Sequence, residues 1–286
     1  MANKSSHAYG HESEIVLEAL RIVEDTVRGL RNELERRGEG EETHLWVTSD
    51  HGHSRVRHHD DLARIIAAAG HRVLAHPWVF RLNADVAVMV SGNAMAHLYV
   101  DLDRRQRPFW QAMSESGREL AETVLQRESV DLMLLPHSAD RCAVWSRTKG
   151  RAIVARCGNR FSYFTEDGDP LGVGRELVDV GPDDAHDAAL GTDYPDSIVQ
   201  IARLTASERA GDIILSAARD WDFRARYEPI PHVSSHGALH RDHMMVPLLL
   251  NHVPSRRPRR TTDVMPSALA ALGRDIPSGL DGESFI

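Results

Sequence analysis

Short apolar runs alternate with helical stretches along this chain, and that alternation constrains its fold more than any single residue does. Ile15, Ala19, Ile22, Val23, Val27, Leu30 and Leu34 recur at helical spacing and predict an amphipathic helix over 13–37. Ser13 is placed to cap its start, and Gly38 and Gly40 end it. HLWVTSD then reads as a strand running into a loop, and a helix follows at 60–69, closed by Gly70. Strand and helix in this spacing predict parallel pairing, hence an α/β fold: a mostly parallel sheet flanked by helices.

Residues 72–190 have a different texture. VLAHPWVF, DVAVMVSG and AHLYVDL are short, β-rich and separated by turn signals. A helix is predicted at 112–127 and a strand at 130–137, and CAVWS, RAIVARCGN and FSYF read as antiparallel strands. The organisation predicted is a core formed by 1–71 and 191–286 with an inserted α+β region at 72–190. Within the second core segment, a helix near 195–205 precedes a strand at 212–218, VPLLL reads as a further strand, and DVMPSALAALG as a terminal helix. RRPRR at 256–260 reads as a solvated basic loop.

Composition closes off several functions. A formal net charge of -8 argues against a nucleic-acid-binding module. Apolar runs are too short for a membrane span. Two cysteines, Cys142 and Cys157, exclude a disulfide framework and a four-cysteine zinc site. The opening MANKSSHAYG has no apolar signal region, which predicts a cytoplasmic chain unless a longer start carries an export signal. Histidine, at 17 of 286 residues, is abundant, and it is the commonest metal ligand.

Three histidine motifs are candidates for chemistry. Thr48-Ser49-Asp50-His51-Gly52-His53 brings a carboxylate and an imidazole to the end of an apolar strand, where open α/β sheets bind ligands. Asp and neutral His ligate zinc or manganese, and Gly52 lets the backbone turn tightly beside an ion. Taken alone, the tripeptide reads first as a structural loop and second as a metal site. Ser234-Ser235-His236-Gly237 precedes VPLLL, with His236 the ligand candidate and His240 and His243 either supporting groups or exposed helix residues. His7-Ala8-Tyr9-Gly10 precedes the long helix. Asp220, Asp222, Arg224 and Arg226, near His236, are either substrate-lining residues or a charged surface.

These motifs, with Val246-Pro247-Leu248-Leu249 and the tail from Thr261 to Gly282, come in the order found in one group of enzymes. The chain resembles the alkaline phosphatase superfamily, in its type I phosphodiesterase/nucleotide pyrophosphatase branch. The resemblance implies hydrolysis of a phosphodiester, phosphomonoester or pyrophosphate bond at two divalent metal ions, zinc first and manganese second. It assigns Asp50 and His51 to one ion and Asn3, His7 and His236 to the other; His53 and His240, close to these in sequence, are candidates to support the ligands. It implies a phosphorylated small molecule as substrate. Asn3 stands where the family has Asp; an amide oxygen ligates without charge, so metal affinity falls.

The family's nucleophile and first metal-binding Asp precede the motif at His7 and have no counterpart here. The expectation is therefore an incomplete site and uncovered apolar surface, met by self-association or by a completing chain. Two other functions are weighed: a non-catalytic remnant that binds metal weakly, and an enzyme like the cofactor-independent phosphoglycerate mutases. The position of the inserted region, after the Asp-His-Gly motif, speaks against the second.

Overall fold

The computed structural model describes residues 2–77, 80, 82–104, 109–224, 228 and 230–286. Its elements run α1 (Ala2–Tyr9), α2 (Glu14–Arg37), β1 (Trp46–Thr48), β2 (Ser54–His59), α3 (Leu62–Ala68), β3 (Val73–Ala75), β4 (Val86–Ser91) and β5 (Met95–Val100). There follow α4 (Phe109–Ala112), α5 (Glu115–Leu125), β6 (Val130–Ser138), β7 (Arg141–Ser146), β8 (Gly150–Cys157), β9 (Arg160–Gly168) and β10 (Leu177–Val180). The chain ends with α6 (Pro182–Leu190), α7 (Ser197–Thr205), β11 (Ile213–Ala217), β12 (Asp220–Asp222), β13 (Ser234–Ser235), α8 (Arg241–Met244), β14 (Leu248–Leu250) and α9 (Val264–Ala271). The expected helix at 112–127 is interrupted, because Ser114 caps a new helix by accepting from the Gly117 amide at 3.1 Å.

Nine strands form one sheet in the order β10-β9-β8-β7-β6-β11-β5-β4-β3. Helices flank it, as the α/β reading expects, but the sheet is not mostly parallel. Only β3 and β4 run parallel in it; every other neighbouring pair is antiparallel. The cause is the string of tight turns from 91 to 160. Gly92 and Asn93, at φ 58° and 65°, turn β4 back onto β5, and a connection that short can only give antiparallel partners. β1 and β3, which the strand–helix–strand spacing would place side by side, lie in different sheets: β1 pairs antiparallel with β14 in a separate two-stranded sheet, and β3 pairs with β4.

The sheet buries both faces. On one, α3 and α5 bring Leu62, Ile66, Leu120 and Val124 against Met133, Leu135 and Leu215. On the other, α6 and α7 bring Ala185, Ile198, Val199 and Ile201 against Leu132, Leu134 and Ile214. The alternation of β6 residues between these clusters is the two-residue period of a strand covered on both sides. β11, from the C-terminal part of the chain, lies between β6 and β5 near the middle of the sheet. No described helix is long and apolar enough to cross a membrane.

A third, small sheet gathers the histidine motifs. In it β2 pairs parallel with β12 and antiparallel with β13. His53 immediately precedes β2 and His236 immediately follows β13, so this pairing carries two of the motifs to one place.

Candidate metal centre

The loop after β1 is shaped by its own short-range hydrogen bonds. The His51 amide donates to Asp50 Oδ1 at 3.1 Å, and the Ser49 hydroxyl to the His51 carbonyl at 2.9 Å. Gly52 donates its N–H to the His243 carbonyl at 2.9 Å. A Cβ on residue 52 would lie 2.0 Å from the Asp242 carbonyl oxygen. Glycine is therefore required by a close backbone approach, which fastens the loop to α8, and not by a left-handed turn.

α1 delivers His7 from the opposite direction. The Val233 amide donates to the His7 carbonyl at 2.9 Å, and His7 Nδ1–H donates to the Ser234 carbonyl at 2.9 Å. His236 is held by backbone bonds to Gly92 and Ala94. A Cβ on Gly92 would come within 2.6 Å of His236 Nδ1, so this second glycine leaves room for the ring.

His7, His53 and His236, from three distant segments, then present ring nitrogens all within 4.8 Å of one another. His51 stacks on His236 with ring centroids 3.6 Å apart, and His232 lies 4.3 Å from His7. Five imidazoles thus crowd together. Burial, reinforced by neighbouring histidines, holds His53 down at about 3 and His232 and His236 at about 4, and it lowers His7 as well. All four are neutral at pH 7, the form in which imidazole offers a lone pair to a metal.

The donor set fits a divalent ion. Because His7 Nδ1 donates to a carbonyl, its Nε2 carries the free lone pair, and His51 is fixed the same way by the Gly52 carbonyl at 2.9 Å. Among the described residues His236 has no side-chain hydrogen bond. His53 Nε2–H donates to Asn3 Oδ1 at 2.7 Å, and the Ser234 hydroxyl donates to its Nδ1 at 2.8 Å. Both ring nitrogens of His53 are thus engaged, so His53 would join His7 and His236 on an ion by giving up its Ser234 or Asn3 contact, which would complete a three-nitrogen set of the kind catalytic zinc takes.

The ligand assignment implied by the resemblance maps onto this geometry unevenly. His7 and His236 are together. His53, expected in support, is in the three-residue group. Asn3 reaches the cluster through His53. Asp50 stands at its edge with an 85% exposed side chain, its Oδ2 3.6 Å from His51 Nε2. Partial burial pushes the Asp50 carboxyl up, but His51 and the local hydrogen bonds outweigh it and leave it lowered. His240 is buried, its ring 3.9 Å from that of His243, and its Nδ1 makes no hydrogen bond among the described residues but lies 3.7 Å from Asp242 Oδ2. His243 accepts from the Ala238 amide at 3.0 Å and contacts Ser54 Oγ at 2.8 Å, so both its nitrogens serve the fold.

Sequence reasoning missed His232, whose Nδ1 accepts from Asn93 Nδ2 at 2.5 Å. Its signal was the four-residue step to His236. Of the charged group near His236, Asp222 is fully buried and accepts from His59 at 2.6 Å, Asp220 pairs with Arg57, and Arg224 pairs with Glu228. Arg226 lies outside the described residues.

A cleft of roughly 410 Å³ opens beside the cluster, lined by Asp50, His51 and His236 and by Arg257, Arg259 and Arg260. Arg259 pairs with Asp183 and Asp187, and Arg260 with Asp196. The basic run at 256–260 is thus in good part a buttress of the cleft wall.

Residues 2–243 match the family described as type I phosphodiesterase / nucleotide pyrophosphatase. No curated protein matches the chain.

Proposed function

The chain belongs to the type I phosphodiesterase/nucleotide pyrophosphatase family, and on that premise we propose that it serves divalent-metal-dependent hydrolysis of phosphoric esters or anhydrides. The observation that carries the reading is the convergence of His7, His53 and His236. These three would hold one ion, with Asp50 and His51 flanking a second position. Zinc is the first choice because the donors are neutral nitrogens; manganese is the second. Bound there, the ion supplies Lewis-acid polarisation of a phosphoryl oxygen.

The protein's own residues bind and orient. Ser234 fixes the tautomer of His7 through its carbonyl, and the Gly52 carbonyl fixes that of His51. The cleft offers apolar walls at Met244, Met245, Leu248 and Val264 for the organic part of a substrate, and arginines for its charge.

Three hydroxyls close in sequence to the ligands are engaged, and that of Ser235, beside His236, is buried with no hydrogen-bond partner among the described residues. Thr48 donates to the Pro247 carbonyl at 2.9 Å, Ser49 to the His51 carbonyl, and Ser234 to His53. The first three are bonded and Ser235 is buried, which favours a second reading: that these residues bind metal and phosphate while the nucleophile comes from outside them. Both readings are tested by assaying bis-p-nitrophenyl phosphate hydrolysis and bound zinc in one sample. Zinc-dependent turnover abolished by His236→Ala supports the hydrolase. Bound zinc without turnover supports the second reading, and no bound zinc overturns both.

A further inference from the structure

The helix α2 carries a surface that its own fold does not use. Val16, Leu20, Val23, Val27, Leu30 and Leu34 recur at alternating steps of four and three residues, the a/d pattern of a two-stranded coiled coil sustained through the helix. Only Val16 is buried. Leu20, Val23 and Leu30 are 52%, 46% and 51% exposed, and α1 is the principal neighbour of the helix. A seam of this kind is normally covered.

Charge identifies what covers it. The first half of the helix, 14–25, holds Glu14, Glu18, Glu24 and Asp25 against Arg21, a net of −3. The second half, 26–37, holds Arg28, Arg31, Arg36 and Arg37 against Glu33 and Glu35, a net of +2. A helix with an acidic first half and a basic second half is complementary to itself when reversed. We propose that α2 is the interface of a homodimer in which the helices of two copies pack antiparallel. In that register Leu20 faces Leu30 of the second copy and Val23 faces its Val27, so four positions of the seam are matched by one two-fold axis, while Val16, buried in its own chain, lies outside the contact. The intrahelical pairs Arg21–Glu18, Arg31–Glu35 and Arg36–Glu33 leave the seam itself uncharged. This inference stands apart from the hydrolase reading, since it uses no residue of the metal cluster.

Sedimentation equilibrium of the chain tests it, with the double variant Leu20→Glu/Leu30→Glu as comparison. The wild type should run at twice the mass of the 286-residue chain, and the variant should dissociate at least tenfold more readily. Far-UV circular dichroism and bound zinc should be equal in the two, because the substituted side chains are half exposed. A spin label on Glu35→Cys in a Cys157→Ser background reads orientation. Antiparallel pairing places the two labels about 30 Å apart along the axis, twenty residues at 1.5 Å rise, and parallel pairing brings them together. A monomer at every concentration, including one whose helix is covered by a different polypeptide, overturns the proposal. So does a dimer indifferent to the double variant, or a short label distance.

Discussion

At the scale of single residues, the cluster combines what motifs announce with what they hide. His7 and His236 are legible because each sits close to a glycine in an ordered set of motifs. His53 is less so: its place in the three-residue group comes from the pairing of β2 with β13, a contact between residues 181 positions apart that no local pattern encodes. Asn3 is where chemistry and geometry meet. Its amide oxygen accepts from His53, and a carboxylate there would add the negative charge a cation lacks in an all-imidazole site. Asn3→Asp should therefore tighten zinc binding by about tenfold, as changes next to metal ligands commonly do. Competition with a chromophoric chelator measures this, and weaker binding in the variant would place residue 3 away from the ion.

At the scale of elements, the cluster depends on how β2, β13 and α8 are fastened. Gly52→Ala should destabilise the protein by about 1–3 kcal/mol in urea unfolding, because its Cβ meets the α8 backbone, which cannot swing aside as a side chain can. Burial holds the His243 imidazole down at about 2 and that of His240 at about 4, against 6.5 when unfolded. The unfolded chain binds these protons first, so the stability they represent is complete above pH 6.5 and is lost as pH falls toward 4 and below. The thermal midpoint of metal-free protein should fall from pH 7.5 to pH 5, and less steeply in His243→Gln. Equal slopes in the two proteins would assign the acid sensitivity elsewhere. Helices were the better-read elements: α2, α3, α7 and α9 lie where periodicity and caps put them. Strand direction was misread because a strand–helix–strand spacing does not say which sheet each strand joins. β1 leaves the large sheet for β14, and hairpin turns decide the rest.

At the scale of the whole molecule, a sheet covered on both faces holds the two apolar clusters, and a small three-stranded sheet brings the candidate metal cluster together. Beside the cluster lies the cleft, lined in part by the arginine loop. Arg257 has no ion pair among the described residues and faces this cleft, so Arg257→Ala should weaken binding of inorganic pyrophosphate several-fold while leaving zinc affinity unchanged. Isothermal titration with each ligand in turn reads both, and a parallel loss of zinc would mean that the loop supports the cluster instead. The hydrolase reading rests above all on His7, His53 and His236 forming the metal centre. Zinc stoichiometry and affinity of the metal-free chain, measured beside His53→Ala and Asp50→Ala, test that most directly. The expected result is at least one tightly held zinc per chain, lost in His53→Ala and weakened but retained in Asp50→Ala. Zinc held equally well by His53→Ala, or no zinc held by the wild type, would contradict it.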